Sequence, residues 1–214
     1  MYLPKHFKEE EAGQVRAAIR EARLGTLVSL GSAGLVASHV PMLLEDAPAP
    51  HGLLIGHLAR ANPQWLERAP GEGEALAMFL GPDAYITPAW YETKRQTGKV
   101  VPTWNYVAVH AYGRLSFFED AERLLALVTT LTRRHEGPRD APWAVSDAPA
   151  DFIASQLKGI VGFQIEITRL EGKWKMSQNR PAEDRAGVVE GLRREGGPAE
   201  AIVADIVAER DRKS

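Results

Sequence analysis

The chain has 214 residues, 44% hydrophobic and 25% charged, with a formal net charge of -2 and no cysteine. Those fractions suit a globular protein long enough to bury its own core, and the missing cysteine excludes disulfides, thiolate catalysis, iron–sulfur clusters and cysteine zinc sites. A pI near 6.3 argues against a strongly basic nucleic-acid binder, whose domain pI usually exceeds about 9.

The amino-terminal residues lack a long apolar stretch, so no secretory signal is expected there. No run approaches the roughly 20 apolar residues that span a bilayer. A cytoplasmic protein without membrane contact is the expectation.

Taken in order, Glu9 to Arg23 reads as a helix. Val15, Ala18, Ile19 and Ala22 recur at helical spacing. The period then shortens. Thr26 to Leu30 and Leu35 to Leu44 read as strands around a Gly31-Ser32-Ala33-Gly34 turn, with Pro41 at an edge or bulge. Asp46 to Gly52 reads as a loop, Leu53 to Leu58 as a strand, and Pro63 to Arg68 as a short helix capped by Asn62. Ala75 to Leu80 and Ala84 to Thr87 follow as strands, split by a Gly81-Pro82-Asp83 turn. Thr93 to Lys99 is polar and reads as a loop.

Thr103 to Phe118 is a long β segment that Gly113 bends or bulges. Glu119 to His135 and Asp151 to Leu157 read as helices. Val161 to Thr168 alternates as a strand, and Glu171-Gly172 reads as a turn into Trp174 to Ser177. The last 34 residues are helical in pattern, broken at Gly196-Gly197-Pro198. Six or seven strands with short connections favour antiparallel pairing and an α+β barrel over a doubly wound sheet.

No G-x-G-x-x-G, Walker loop, H-E-x-x-H or G-x-S-x-G occurs. The six histidines lack close metal-ligand spacing, so no metal site is expected. His39, His57 and His110 each suit a general acid, a haem ligand or a structural role, and no catalytic acid or base is assigned.

Four clusters carry possible chemistry. Arg60 precedes the Asn62-Pro63 helix start, where free N–H groups and a guanidinium suit a phosphate; a capped surface helix is the plain alternative. Pro88-Ala89-Trp90-Tyr91, followed by Lys94, Arg95 and Lys99, forms the second. Val101-Pro102-Thr103-Trp104-Asn105-Tyr106 forms the third. Aromatics beside amides can sandwich a planar heterocycle, or simply pack. Gly172 to Arg180 is the fourth, with Gln178, Asn179 and Arg180 at a strand end, suited to a carbonyl edge, a phosphate or ordinary turn chemistry.

Together these stretches resemble the PaiB family, described as FMN-binding negative transcriptional regulators. The resemblance rests on Met1-Tyr2-Leu3-Pro4-Lys5-His6-Phe7, His39-Val40-Pro41, Gly56 to Pro63, Gly81 to Tyr91, Pro102 to Tyr106 and Gly172 to Arg180. It implies a mainly antiparallel split β-barrel over 1–180, with a helical extension over 181–214 packed on it. It also implies a homodimer with FMN at the subunit interface. By position, Arg60 and Asn62 would hold the phosphate, with Lys94 and Lys99 assisting. Trp104, Asn105 and Tyr106 would form walls and edges, and Gln178, Asn179 and Arg180 would reach the flavin. The regulator role comes with the resemblance alone, since no helix-turn-helix is evident and the carboxy-terminal arginines alternate with acids. A flavin-dependent oxidoreductase and a haem-binding barrel are the alternatives.

Overall fold

The computed structural model describes residues 1–46, 50–66 and 73–212. Its strands are β1 (Lys8–Glu9), β2 (Gly25–Gly31), β3 (Gly34–Val40), β4 (Met42–Glu45), β5 (Leu53–Ala59), β6 (Glu74–Ile86), β7 (Thr103–Phe118) and β8 (Ile160–Lys175). Its helices are α1 (Ala12–Glu21), α2 (Glu92–Thr97), α3 (Ala121–Glu136), α4 (Ala150–Leu157), α5 (Ala182–Glu195) and α6 (Pro198–Arg212).

The strands form one sheet in the order β3-β2-β6-β7-β8-β5-β4, with β1 added to β8. β3 and β4 close the two ends of that order, yet only Pro41 separates them along the chain. A sheet whose end strands are joined by one residue has to roll around on itself. Pro41 marks the change of partner: β3 pairs with β2, whereas β4 pairs with β5. A residue without an N–H is suited to that break in the ladder.

The chain divides into two compact units. One contains residues 19–79 and 110–170. Here β2 and β3 form a hairpin in register from Gly25↔Val40 to Gly31↔Gly34. β5 pairs with β8 from Leu53↔Glu166 to Ala59↔Ile160. Gly56 permits a close approach in this region. A Cβ there would lie 2.5 Å from the Phe163 ring. Leu127 and Leu131 of α3 pack with Leu43 and Ile55, and Phe118 closes over them.

The other unit contains residues 1–18, 80–109 and 171–214. α5 and α6 pair through the fully buried Val188, Leu192, Val203 and Val207. α5 meets the 3-10 turn Pro88–Trp90 through Gly187 and Gly191, where an added Cβ would strike the Trp90 backbone and indole. Trp90 is thus a packing residue.

Several sequence expectations change. The Gly81-Pro82-Asp83 turn is absent, and β6 runs unbroken through it. Gly81 serves instead as a point of close approach, since a Cβ there would lie 2.8 Å from that of Val107. The Glu171-Gly172 turn is likewise absent. Gly172 lies inside β8, opposite Glu9 of β1, with Val15 against its backbone. The expected loop over Thr93 to Lys99 contains helix α2. Asp184 caps it by accepting a hydrogen bond from the Thr93 N–H at 2.8 Å, Glu92 pairs with Arg95, and Gly98 ends it in the left-handed conformation. The short helix after Asn62 is a 3-10 turn over Pro63–Trp65. Its expected end at Arg68 lies outside the described residues. Among the described residues, no helix is long and apolar enough to cross a membrane.

Candidate functional site

β8 alternates faces over its last residues, so Lys173 and Lys175 project from one side while Trp174 projects from the other. The chain then turns at Ser177, whose φ of +64° places it in the left-handed region that side chains other than glycine rarely adopt. Two interactions hold it there. The buried Asn105 donates from Nδ2 to Ser177 Oγ at 3.0 Å, and Ser177 Oγ approaches Asn105 Oδ1 at 3.2 Å. Gln178 folds back, accepting from the Met176 N–H at 2.7 Å and donating to the Trp174 carbonyl at 2.6 Å. This turn presents Arg180, whose guanidinium stacks 4.7 Å above the Tyr91 ring.

Three cations converge here. Lys173 Nζ donates to the Tyr2 carbonyl and lies 5.2 Å from the centre of the Tyr106 ring. Lys175 Nζ donates to Thr103 Oγ1 at 2.6 Å and to the Trp104 carbonyl at 2.5 Å. Burial lowers the Lys175 pKa, and the positive charges of Lys173 and Arg180 lower it further. Among the described residues, no carboxylate is seen paired with Lys173, Lys175 or Arg180. Behind them, burial raises the Tyr91 phenol, and Arg180 opposes that shift.

The aromatic and amide groups of this unit are arranged on both sides of β7. Trp104 is 53% exposed and meets Tyr85 edge to face at 5.7 Å. Asn105 is fully buried, and Tyr106 is half-buried. Lys94, Lys99 and Asn179 are exposed. One unit therefore contains Lys94, Lys99, Trp104, Asn105, Tyr106, Gln178, Asn179 and Arg180. Sequence reasoning does not single out Lys173 and Lys175 as site residues. The available signal is the K-x-K spacing at the end of β8, which puts two positive charges on one face.

Arg60 and Asn62 belong to the other unit. Arg60 donates from Nε to the Lys158 carbonyl at 2.6 Å, from one terminal nitrogen to Glu119 at 2.6 Å, and from the other to the Ile160 carbonyl at 3.3 Å. Asn62 donates to Ser38 Oγ at 2.8 Å and caps the following turn by accepting from the Gln64 N–H at 2.9 Å. Both side chains stitch neighbouring segments together.

The family described as "Putative FMN-binding domain" matches residues 1–169. The protein named protease synthase and sporulation protein PAI 2, from Bacillus subtilis, is 35% identical over 213 residues, covering 100% of this chain and 99% of its own. Among solved structures, a conserved hypothetical protein from Mycobacterium tuberculosis superposes with a TM-score of 0.59 at 13% identity, covering 85% of this chain and 94% of its own. The FAD and heme binding protein from Mycobacterium smegmatis gives 0.57 at 14% identity, covering 84% and 78%. The fold is the α+β split β-barrel of those neighbours. With a family match across most of its length and a relative aligned from end to end, the chain belongs to the PaiB family of FMN-binding split-barrel proteins.

Proposed function

We propose that the protein binds FMN, that Lys173, Lys175 and Arg180 take its phosphate, and that it works as a homodimeric flavin sensor or negative regulator. The observation that carries this reading is a gathering of three cations in which burial and mutual repulsion already lower the lysine at its centre. A phosphate dianion relieves that repulsion and supplies charge-assisted acceptors. The donor set also suits the rest of the molecule. Trp104 and Tyr106 offer faces to a planar ring, while the exposed Asn179, on the turn that Gln178 holds, offers an amide to its polar edge. Lys94 and Lys99 add exposed positive charge on the same unit. A bound flavin supplies electron and hydride transfer, and the chain's part is to hold and orient it.

Exposed Leu80, Tyr85, Val101 and Trp104 support the assignment of a second copy as partner, because large apolar side chains on one unit favour association. The sensor reading is preferred to direct DNA contact by the carboxy-terminal helices, since Arg185, Arg193 and Arg210 are ion-paired to Asp211, Asp205 and Glu9. Steady NAD(P)H oxidation by the FMN-loaded protein would make it an oxidoreductase instead.

The test is the pH dependence of FMN binding. Below its lowered pKa, Lys175 is charged with or without ligand and adds no pH dependence. Above that pKa, binding an anion must return a proton to the lysine, so affinity falls as pH rises until the pKa of the complex is passed. The phosphate itself gains its second negative charge near about pH 6. FMN affinity is therefore expected to rise through that pH, level off, and fall on the alkaline side with measurable proton uptake, while riboflavin shows neither limb. An alkaline limb shared equally by riboflavin would contradict the phosphate assignment.

A further inference from the structure

We propose that the unit containing α3 and α4 carries a second ligand site, separate from the flavin cluster, for an aromatic organic anion. A cleft of about 810 Å³ lies between α3, α4 and the segment joining them, within the range typical of pockets for drug-sized molecules. α4 explains why it is apolar. Its sequence includes Phe152, Ile153 and Leu157, yet the helix has no buried residue. Ile153 and Leu157 instead form one wall of the cleft, and Leu125 of α3 forms another. Trp143, 46% exposed, stands at its edge and supplies a stacking face.

The polar groups select the ligand's charge. Glu136 is already engaged, pairing with Arg139 and accepting from the Trp143 N–H at 3.1 Å. Arg133 also lines the cleft, and among the described residues no carboxylate is seen paired with it. A guanidinium, an indole and aliphatic side chains lining one cleft fit a carboxylate or sulfonate on an aromatic body. Thr132, Glu136 and Trp143 continue into an adjoining lobe of about 490 Å³. There His57 presents a buried Nδ1 that has no hydrogen-bond partner. Burial lowers its pKa, so near neutral pH it offers an uncharged imidazole to a polar substituent.

Two probes test the proposal on the full-length protein: 8-anilinonaphthalene-1-sulfonate and its uncharged analogue N-phenyl-1-naphthylamine. Saturable binding of one sulfonate probe per chain is expected, unaffected by saturating FMN. Arg133→Ala should weaken the sulfonate about tenfold and change the neutral analogue less than twofold. Ala154→Trp, which fills the cleft from α4, should abolish both, with circular dichroism unchanged. Retained binding in Ala154→Trp would overturn the site, as would equal losses of both probes in Arg133→Ala. Displacement by FMN would assign the cleft to the flavin. Loss of probe binding as the protein dimerises would make it a surface covered by a second copy. Either outcome overturns a second ligand site.

Discussion

Replacing Lys175 by Met is expected to weaken FMN binding by roughly thirtyfold, about 2 kcal/mol, and to leave riboflavin affinity within twofold. Met keeps the length and apolar stem of the lysine while deleting the charge. Burial and two neighbouring cations act against that charge. A phosphate reverses the sign of that environment, so the loss should fall on the phosphorylated ligand. The substitution also removes donors to Thr103 Oγ1 and the Trp104 carbonyl. Disturbance of β7 by that route would weaken both flavins together, and the riboflavin control separates the two effects. Lys175→Arg, which restores a cation, should recover much of the FMN preference.

The second large effect concerns the fold beneath the cluster. Asn105→Ala is expected to lower stability by about 3 kcal/mol, a fall in Tm of roughly 6–12 °C for a chain of this size. Asn105 is fully buried and its side chain is matched to the Ser177 hydroxyl. Removing it leaves a buried hydroxyl unpaired at a residue held at positive φ. The turn carrying Gln178, Asn179 and Arg180 should loosen, and flavin binding should weaken along with stability. Thermal and urea unfolding check the first part; a loss below about 1 kcal/mol would mean that the Asn105–Ser177 pair does not hold the turn.

Much of this fold is legible in the residues. The clean alternation of Val161 to Thr168 marks β8, and the helical spacing of Leu124, Leu127 and Leu131 marks α3. Two of the misread positions share one physical cause. Gly81 and Gly172 look like turn residues, because glycine is favoured wherever backbone freedom is needed. In both cases it is the missing side chain that matters, allowing another segment to approach closely. That requirement depends on the partner and leaves no local mark. α2 is polar and short, and it is secured by a cap from Asp184, 91 residues away. The candidate site shows the same division. Its aromatic and amide groups form compact sequence clusters. Lys173 and Lys175 acquire their meaning only when Arg180 turns back toward them and, among the described residues, no carboxylate is seen paired with them.

Arg60 separates two accounts of the phosphate anchor. Its guanidinium holds the Lys158 and Ile160 carbonyls and Glu119, a structural role that would make Arg60→Ala destabilising without altering the choice between flavins. The most direct measurement is a fluorescence titration of the purified protein with FMN and with riboflavin, repeated for Lys175→Met and Arg60→Ala. FMN should bind at least about thirtyfold more tightly than riboflavin, with that preference lost in Lys175→Met and kept in Arg60→Ala. Equal affinities for the two flavins in the unaltered protein, or a preference lost only in Arg60→Ala, would contradict a phosphate anchor at Lys173, Lys175 and Arg180.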